Sequence, residues 1–304
     1  MNRSRQVGYR LLGSRFDYLL HTRPLEWPIV AAHTTLGYLL AVGLSGAAHG
    51  RRLESAVLGL GLWVVCLNGG TLALNSAYDR DEGDVAYLRR PPPPPVHLAG
   101  FGLGLMSLGL ALAFLLPLGY RVAYSVCLVL SLLYSTPPVR LKAVAGADWI
   151  INMMGFGTLT PYAGWAATGV GLSAPGRWIL IAFCPLFAAL YPLTQIYQFE
   201  EDARRGDRTL ARTLGVRRSL VVSGVAVALA FLGFSLGGAA ADWGIEGSWR
   251  WLCLVVAAGA WVVVLFPWYR KRDAMSPHEH QVGMYRALVA WAVTDFSVAL
   301  AWGL

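Results

Sequence analysis

RWILIAFCPLFAALYPLTQIYQF, residues 177–199, carries a single charge at its first position and runs directly into the acidic stretch EEDARRGD at 200–207. As a helix rising about 1.5 Å per residue, a run of this length crosses a hydrocarbon core of about 30 Å. Working outward from it, eight further apolar stretches of roughly 18–25 residues can be marked. The nine spans fall near 27–46, 54–78, 96–117, 119–136, 146–170, 177–199, 218–238, 249–269 and 285–303. Composition agrees: 56% of the 304 residues are hydrophobic and 14% charged, where a soluble domain carries about a quarter charged residues. Mean hydropathy is +0.50. The reading is an all-α membrane protein of nine transmembrane helices.

The basic residues test that count independently, because cytoplasmic loops collect Lys and Arg. With nine spans, the N-terminal tail and the loops after spans two, four, six and eight lie on one side. They hold 20 of the 25 Lys and Arg, against Arg51, Arg52, Arg121, Arg177 and Arg250 on the other. The N-terminus is therefore read as cytoplasmic and the C-terminus as outside, and an inner membrane of bacterial type is expected. The net charge of +8 follows from this topology and does not call for nucleic acid.

Residues 1–26 form a basic cytoplasmic segment without the apolar core of a signal peptide. A short interfacial helix over Tyr9 to Leu20 is expected there, and a disordered basic tail is the other reading. Residues 27–304 form one transmembrane domain. Cys66, Cys127, Cys184 and Cys253 lie far apart inside proposed spans, in no metal or disulfide spacing, and read as small packing residues.

Of 17 acidic residues, eight fall in NSAYDRDEGD at 75–84 and YQFEEDARRGD at 197–207. Both segments sit at the cytoplasmic ends of spans two and six, so carboxylates from distant parts of the chain can share one membrane depth. Like charges gathered there repel unless cations lie between them. Hard oxygen donors of this kind suit Mg²⁺, which is held by one or two carboxylates, waters and substrate phosphates. Asn75 and Asp79, four apart, share a helix face. Asp81, Glu82 and Asp84 follow, toward a helix end at Gly83, where a solvated terminus is the competing reading.

Basic groups stand where a diphosphate needs them. The loop YSTPPVRLK after span four places Tyr134, Arg140 and Lys142 on the same face as both acidic segments; Arg23 precedes span one, and Arg89 and Arg90 precede the proline run 91–95. Arg presents a planar fork to phosphate oxygens and Lys a compact charge. The proline run reads as an extended, rigid connector.

In this combination the chain resembles the UbiA-type intramembrane prenyltransferases, over roughly residues 23–215. Asn75 and Asp79 match the first acidic motif of that family, Arg90 and Pro91 its R-P, and Tyr134 to Lys142 its Y-S-x-P-P-x-R-L-K loop. Asp202 matches the final acid of the second motif, and Gly206, Thr209, Leu210, Ala211, Leu214 and Gly215 follow in register. Three positions depart from the pattern, the first being Ser76, which follows Asn75 where the family has Asp. Gly83 with Asp84 beside it stands where a third acid is often found, as in the naphthoate-prenylating branch. Gln198 replaces the leading Asp of the second motif, which leaves Glu200 or Glu201 to take over part of its role.

The resemblance implies helices around a central cavity that opens laterally to lipid, with an acidic cap and active site near the cytoplasmic face. It implies Mg²⁺-dependent transfer of a prenyl group from a prenyl diphosphate to a hydrophobic or aromatic acceptor, foremost a precursor in quinone biosynthesis. The expected metal set is Asn75, Asp79 and Asp202, joined by Asp84, Glu201 or Asp207. Arg23, Arg90, Arg140 and Lys142 are expected on the diphosphate, and Tyr134 among the catalytic residues. Aromatic faces would shield the allylic cation.

Other polar residues lie within spans: His33, Asn68, Asp148, Asn152 and Asp295. Asp148 and Asn152, four apart and near the YSTPPVRLK loop, are candidate acceptor contacts or cross-helix pairs. Asp295 reads as a structural pair, and HEH at 278–280 as a solvated loop without function. Two alternatives remain open: the same chemistry with a carotenoid, tetrapyrrole or lipid acceptor, and a cation-coupled transporter. Inverted repeats would mark the latter, and none is visible by eye.

Overall fold

The computed structural model describes residues 3–46, 51–79, 88, 90–244 and 247–303. Among these the chain is helical, without strands. Two short helices, α1 (Arg3–Leu12) and α2 (Phe16–His21), precede nine longer segments. These are α3 (Trp27–Gly46), α4 (Arg52–Asp79), α5 (Leu98–Ala113), α6 (Leu118–Ser135), α7 (147–167), α8 (Ala174–Arg204), α9 (Leu210–Ala240), α10 (Ser248–Ala274) and α11 (Pro277–Trp302).

Seven of them, α3, α4, α6, α8, α9, α10 and α11, are long and apolar enough to cross a membrane. The other two segments of the nine-span count are helical but less regular. α5 has 16 residues, because Phe114 to Leu116, read as part of that span, form the turn before Pro117 caps α6. α7 runs through Ala147–Asn152, a π-helical stretch Met153–Leu159, and Thr160–Ala167. α4 is also π-helical over Leu62–Asn68. Such widened turns occur frequently at functional sites, and Asn68 and Phe156, one from each, face the same cavity.

Two apolar clusters stand side by side. One joins α8, α9, α10 and α11 around Phe183, Leu186, Phe234 and Trp261; the other joins α4, α5, α6 and α7 around Trp63, Leu74, Tyr120 and Tyr124. α3 closes the ring by packing on α7 and α11. Its crossing with α7 depends on bare backbone: a Cβ at Gly37 would overlap the Pro161 carbonyl, and one at Gly164 the Thr34 carbonyl. Without a hydrophobic drive between helices in lipid, close backbone approach at small residues supplies the packing.

The N-terminal segment is two helices rather than the single helix expected over Tyr9 to Leu20. Gly13, at φ 55°, breaks it, and Phe16 folds back edge-on to Tyr9 at 5.1 Å. Tyr9 donates to Asp17 at 2.6 Å. The HEH stretch is not a solvated loop. Ser276 and Glu279 form a capping box, with Ser276 N donating to Glu279 Oε2 at 2.7 Å and Glu279 N to Ser276 Oγ at 3.3 Å. His280 is buried and accepts from Trp268 Nε1 at 2.8 Å. Asp295 pairs with His33, whose Nδ1 lies 3.1 Å from both carboxylate oxygens. The proline run 91–95 has no helix, and the four cysteines are free.

Candidate active site

Six helices enclose a cavity of about 440 Å³. On α4 its lining recurs at Trp63, Leu67, Thr71, Asn75 and Asp79, the four-residue spacing of one helix face. That stripe runs from an apolar floor to a charged mouth, so a single helix supplies both ends of an amphiphile's environment. α8 repeats the pattern through Phe187, Tyr191, Gln195, Gln198 and Asp202.

At the mouth, Lys142 reaches Asn75 Oδ1 at 2.5 Å and also bonds Asp79. Arg140 donates to Asp207 Oδ1 at 2.6 Å and Oδ2 at 3.3 Å, and to Asp79 Oδ1 at 3.2 Å. One guanidinium thus spans the first and second acidic segments. Burial opposes its charge, but hydrogen bonds and attraction from Asp207 and Asp79 outweigh that and hold Arg140 above its ordinary pKa. Its backbone sits at φ 35°, a left-handed conformation uncommon outside glycine. Strained residues of this kind cluster at functional sites.

Asp202 is buried and accepts from Thr209 Oγ1 at 3.0 Å, while Asp207 N donates to Asp202 O at 2.9 Å. Arg23 lies 3.5 Å from Ser76 Oγ and 3.7 Å from Glu26. Burial pushes the Glu26 carboxyl up, against the lowering pull of Arg23. Tyr134 OH lies 3.0 Å from Tyr191 OH. Farther in, Phe156 stacks on Phe187 at 5.3 Å and 12°, and Trp291 meets Phe187 edge-on at 5.5 Å. Trp63 Nε1 donates to Thr160 Oγ1 at 3.2 Å across the floor.

Of the residues singled out in the sequence, Asn75, Asp79, Tyr134, Lys142, Asn152, Glu201, Asp202, Asp207 and Arg23 all line this cavity, and Arg140 joins its acids from beside it. Arg90 is exposed and not part of the lining; its carbonyl accepts from Arg5 at 3.0 Å. Asp84 lies outside the described residues. Asp148 is fully buried and absent from the lining, its oxygens bonded to protein donors. Gln195, Glu26 and the aromatic walls were not singled out, while Thr209, matched only as part of the stretch after the second motif, also lines the cavity. The four-residue stripe on α8 was the available signal for Gln195, Phe187 and Tyr191, while nothing local marked Glu26.

Among the described residues no three His, Cys, Asp or Glu side chains are gathered closely enough to hold a metal by themselves. Arg140 instead bridges Asp79 and Asp207, and Lys142 bonds Asn75 and Asp79. The arrangement has hard oxygen donors on two sides of a space where positive charge already resides. Resident positive charge repels a bare cation and suits a phosphate, which brings a cation's remaining ligands with it.

The model of the UbiA prenyltransferase family matches residues 31–289. No curated protein matches the chain. Among solved structures, a UbiA homologue from Archaeoglobus fulgidus bound to DMAPP and Mg²⁺ is similar at a TM-score of 0.66 and 20% identity, over 91% of this chain and 99% of that one. A digeranylgeranylglyceryl phosphate synthase aligns at a TM-score of 0.69 and 14% identity, over 94% and 97%. A UbiA homologue from Aeropyrum pernix K1 aligns at 0.63 and 17%, over 90% and 96%. At these identities the structural likeness establishes the fold.

Proposed function

The chain belongs to the UbiA prenyltransferase family, and from that premise we propose that it moves a prenyl group from a prenyl diphosphate onto an aromatic, quinone-type precursor. It is a multi-pass integral membrane prenyltransferase. Nine spans with a cytoplasmic N-terminus put the charged mouth at the cytoplasmic face of an inner membrane, in keeping with the 20-to-5 division of basic residues. The observation that carries the reading is the convergence of two remote acidic segments, bridged by Arg140 and with Lys142 bonded to the first, on the mouth of an aromatic-walled cavity.

The donor set fits Mg²⁺, and the Archaeoglobus homologue binds it together with DMAPP or GPP. Asn75, Asp79 and Asp202 would hold the metal, with Asp207, Glu201 and Asp84 as further donors; bound there, it would neutralise charge on the leaving diphosphate. Lys142, Arg140 and Arg23 bind the phosphate oxygens and stabilise the charge that grows as the allylic C–O bond breaks, its electron pair departing with the diphosphate. The tail lies in the apolar body, lined by Phe156, Phe187, Tyr191 and Trp291, whose ring faces would shield the allylic cation and keep water out. A ring carbon of the acceptor supplies the pair for the new C–C bond and then loses its proton as aromaticity returns. The aromatic walls, Phe156 and Phe187 among them, offer ring faces against which a planar acceptor can lie.

The test is incubation of the purified protein with Mg²⁺, labelled prenyl diphosphates and a panel of aromatic and lipid acceptors, with mass analysis of products. Asp79→Ala and Asp202→Ala should abolish product while the protein still inserts and folds. Near-normal turnover in both variants would reject the site, and product only on lipid acceptors would reject the aromatic one.

A further inference from the structure

Asp148 is fully buried beneath the charged mouth, and three elements converge on it. Its Oδ1 accepts from Gly146 N at 2.9 Å. Its Oδ2 accepts from Gln195 Nε2 on α8 at 2.8 Å and from Leu210 N, the first residue of α9, at 3.1 Å. The other end of the Gln195 amide accepts from Ala211 N at 3.1 Å. The first two amides of α9 would otherwise have no helical partner; here they are satisfied by a carboxylate and an amide that also bond each other. A carboxylate at a helix N-terminus is electrostatically favoured as well.

What this knot joins matters more than its bonds. The loop after α6 carries Arg140 and Lys142 and leads into Asp148. α8 carries Gln195 and ends in Glu201 and Asp202. The residues just before α9 are Asp207 and Thr209. Arg208 N donates to Ala143 O at 3.2 Å and Thr209 Oγ1 to Asp202, so the strands of chain leaving the knot are cross-tied within the site itself. Asn152, one turn along α7, donates to Asp148 O at 2.8 Å and lines the cavity.

We infer that Asp148, with Gln195, is a positioning residue for prenyl transfer: the buried hydrogen-bonded pair fixes the spacing between the Arg140–Lys142 loop and the Asp202–Asp207 segment, and so the geometry in which metal and diphosphate are held. This rests on the functional reading above. It replaces the acceptor-contact role expected for Asp148, since the residue is fully buried and does not line the cavity. Outer residues that orient metal-binding groups cost about 10–100-fold in metal affinity or activity when replaced, and a misplacement of about 1 Å costs about 10²-fold in rate.

The experiment uses the full chain in nanodiscs, with Mn²⁺ in the presence of inorganic diphosphate as the metal probe read by electron paramagnetic resonance, hydrogen exchange across 206–211, and thermal unfolding. Asp148→Asn should weaken Mn²⁺ binding by about tenfold or more and speed exchange at the Leu210 and Ala211 amides, at temperatures where the protein remains folded. A purely structural role would lower the unfolding temperature and leave Mn²⁺ affinity unchanged in the folded protein, which would overturn the inference. Should Asp148→Asn fail to fold, Gln195→Met carries the test, and unaltered Mn²⁺ affinity there is the overturning result. An unaltered chain that consumes no prenyl diphosphate would remove the functional reading instead, while the binding and exchange data would still judge the positioning.

Discussion

Replacing Lys142 by Met separates what the charged mouth does for folding from what it does for chemistry. The ammonium is buried at 8% exposure and bonds both Asn75 and Asp79. Removing one partner of a buried ion pair costs about 3–5 kcal/mol when the other is left alone. Asp79 is not left alone, because Arg140 stays at 3.2 Å, so the loss should be nearer that of a charged hydrogen bond, about 1.5–3 kcal/mol. Met fills the space of the Lys stem, which keeps the packing. The effect on rate should be larger: a donor aimed at charge that develops in the transition state is worth about 10²–10³ in turnover. Lys142→Met should therefore lower the unfolding temperature by a few degrees while cutting turnover by at least two orders of magnitude. The assay pairs unfolding of the purified protein with initial rates of product formation by mass spectrometry across donor concentrations. A folded variant turning over within about threefold of the unaltered chain would refute the assignment of Lys142 to the leaving group.

Gly37→Ala should destabilise strongly, by about 1–3 kcal/mol or more, because its Cβ meets the Pro161 backbone. Gly224→Ala, where nothing lies within 4 Å, should be neutral or stabilise the helix, and equal unfolding temperatures for the two would discount the crossing. Ser276→Ala removes the capping box of α11 and should cost about 0.5–2 kcal/mol, measurable by thermal unfolding with no change in turnover. Glu26→Gln should raise the unfolding temperature at pH 7. Burial holds the folded carboxyl above its ordinary value of 4.5, so above that value the unfolded chain ionises more readily and folding is penalised. The advantage of Gln should fade below the ordinary value, where Glu is protonated in both states; a gain that persists at low pH would assign the effect to something other than charge.

The legible part of the fold was the part carried by local pattern. Runs such as 177–199 announce a membrane helix by length alone, since the bilayer sets how many apolar residues a helix needs. α5 shows the limit: apolar content continued to Pro117, but the chain turns after Ala113, and hydropathy does not distinguish a span's last turn from the loop that follows it. At the site, Asn75, Asp79 and Asp202 were visible because charge is expensive at a membrane rim. Arg90 was not resolved the same way. A basic residue near a span satisfies topology whether or not it touches the cavity, and here its side chain is exposed.

Asp148 marks the boundary most sharply. Four residues before Asn152 and close to the YSTPPVRLK loop, it has the sequence context of a substrate contact, yet besides Gly146 its donors come from α8 and the start of α9, far along the chain. By itself the sequence determined that the chain lives in a membrane, which helix ends carry charge and which chemistry that charge suits, because transfer free energy and helical period act residue by residue. The tertiary structure alone decided which carboxylates share a guanidinium, which is sealed beneath the mouth, and which rings wall the cavity. Those outcomes depend on how helices distant in sequence cross, and a crossing is set by shape complementarity between backbones such as those at Gly37 and Gly164, which no local pattern encodes.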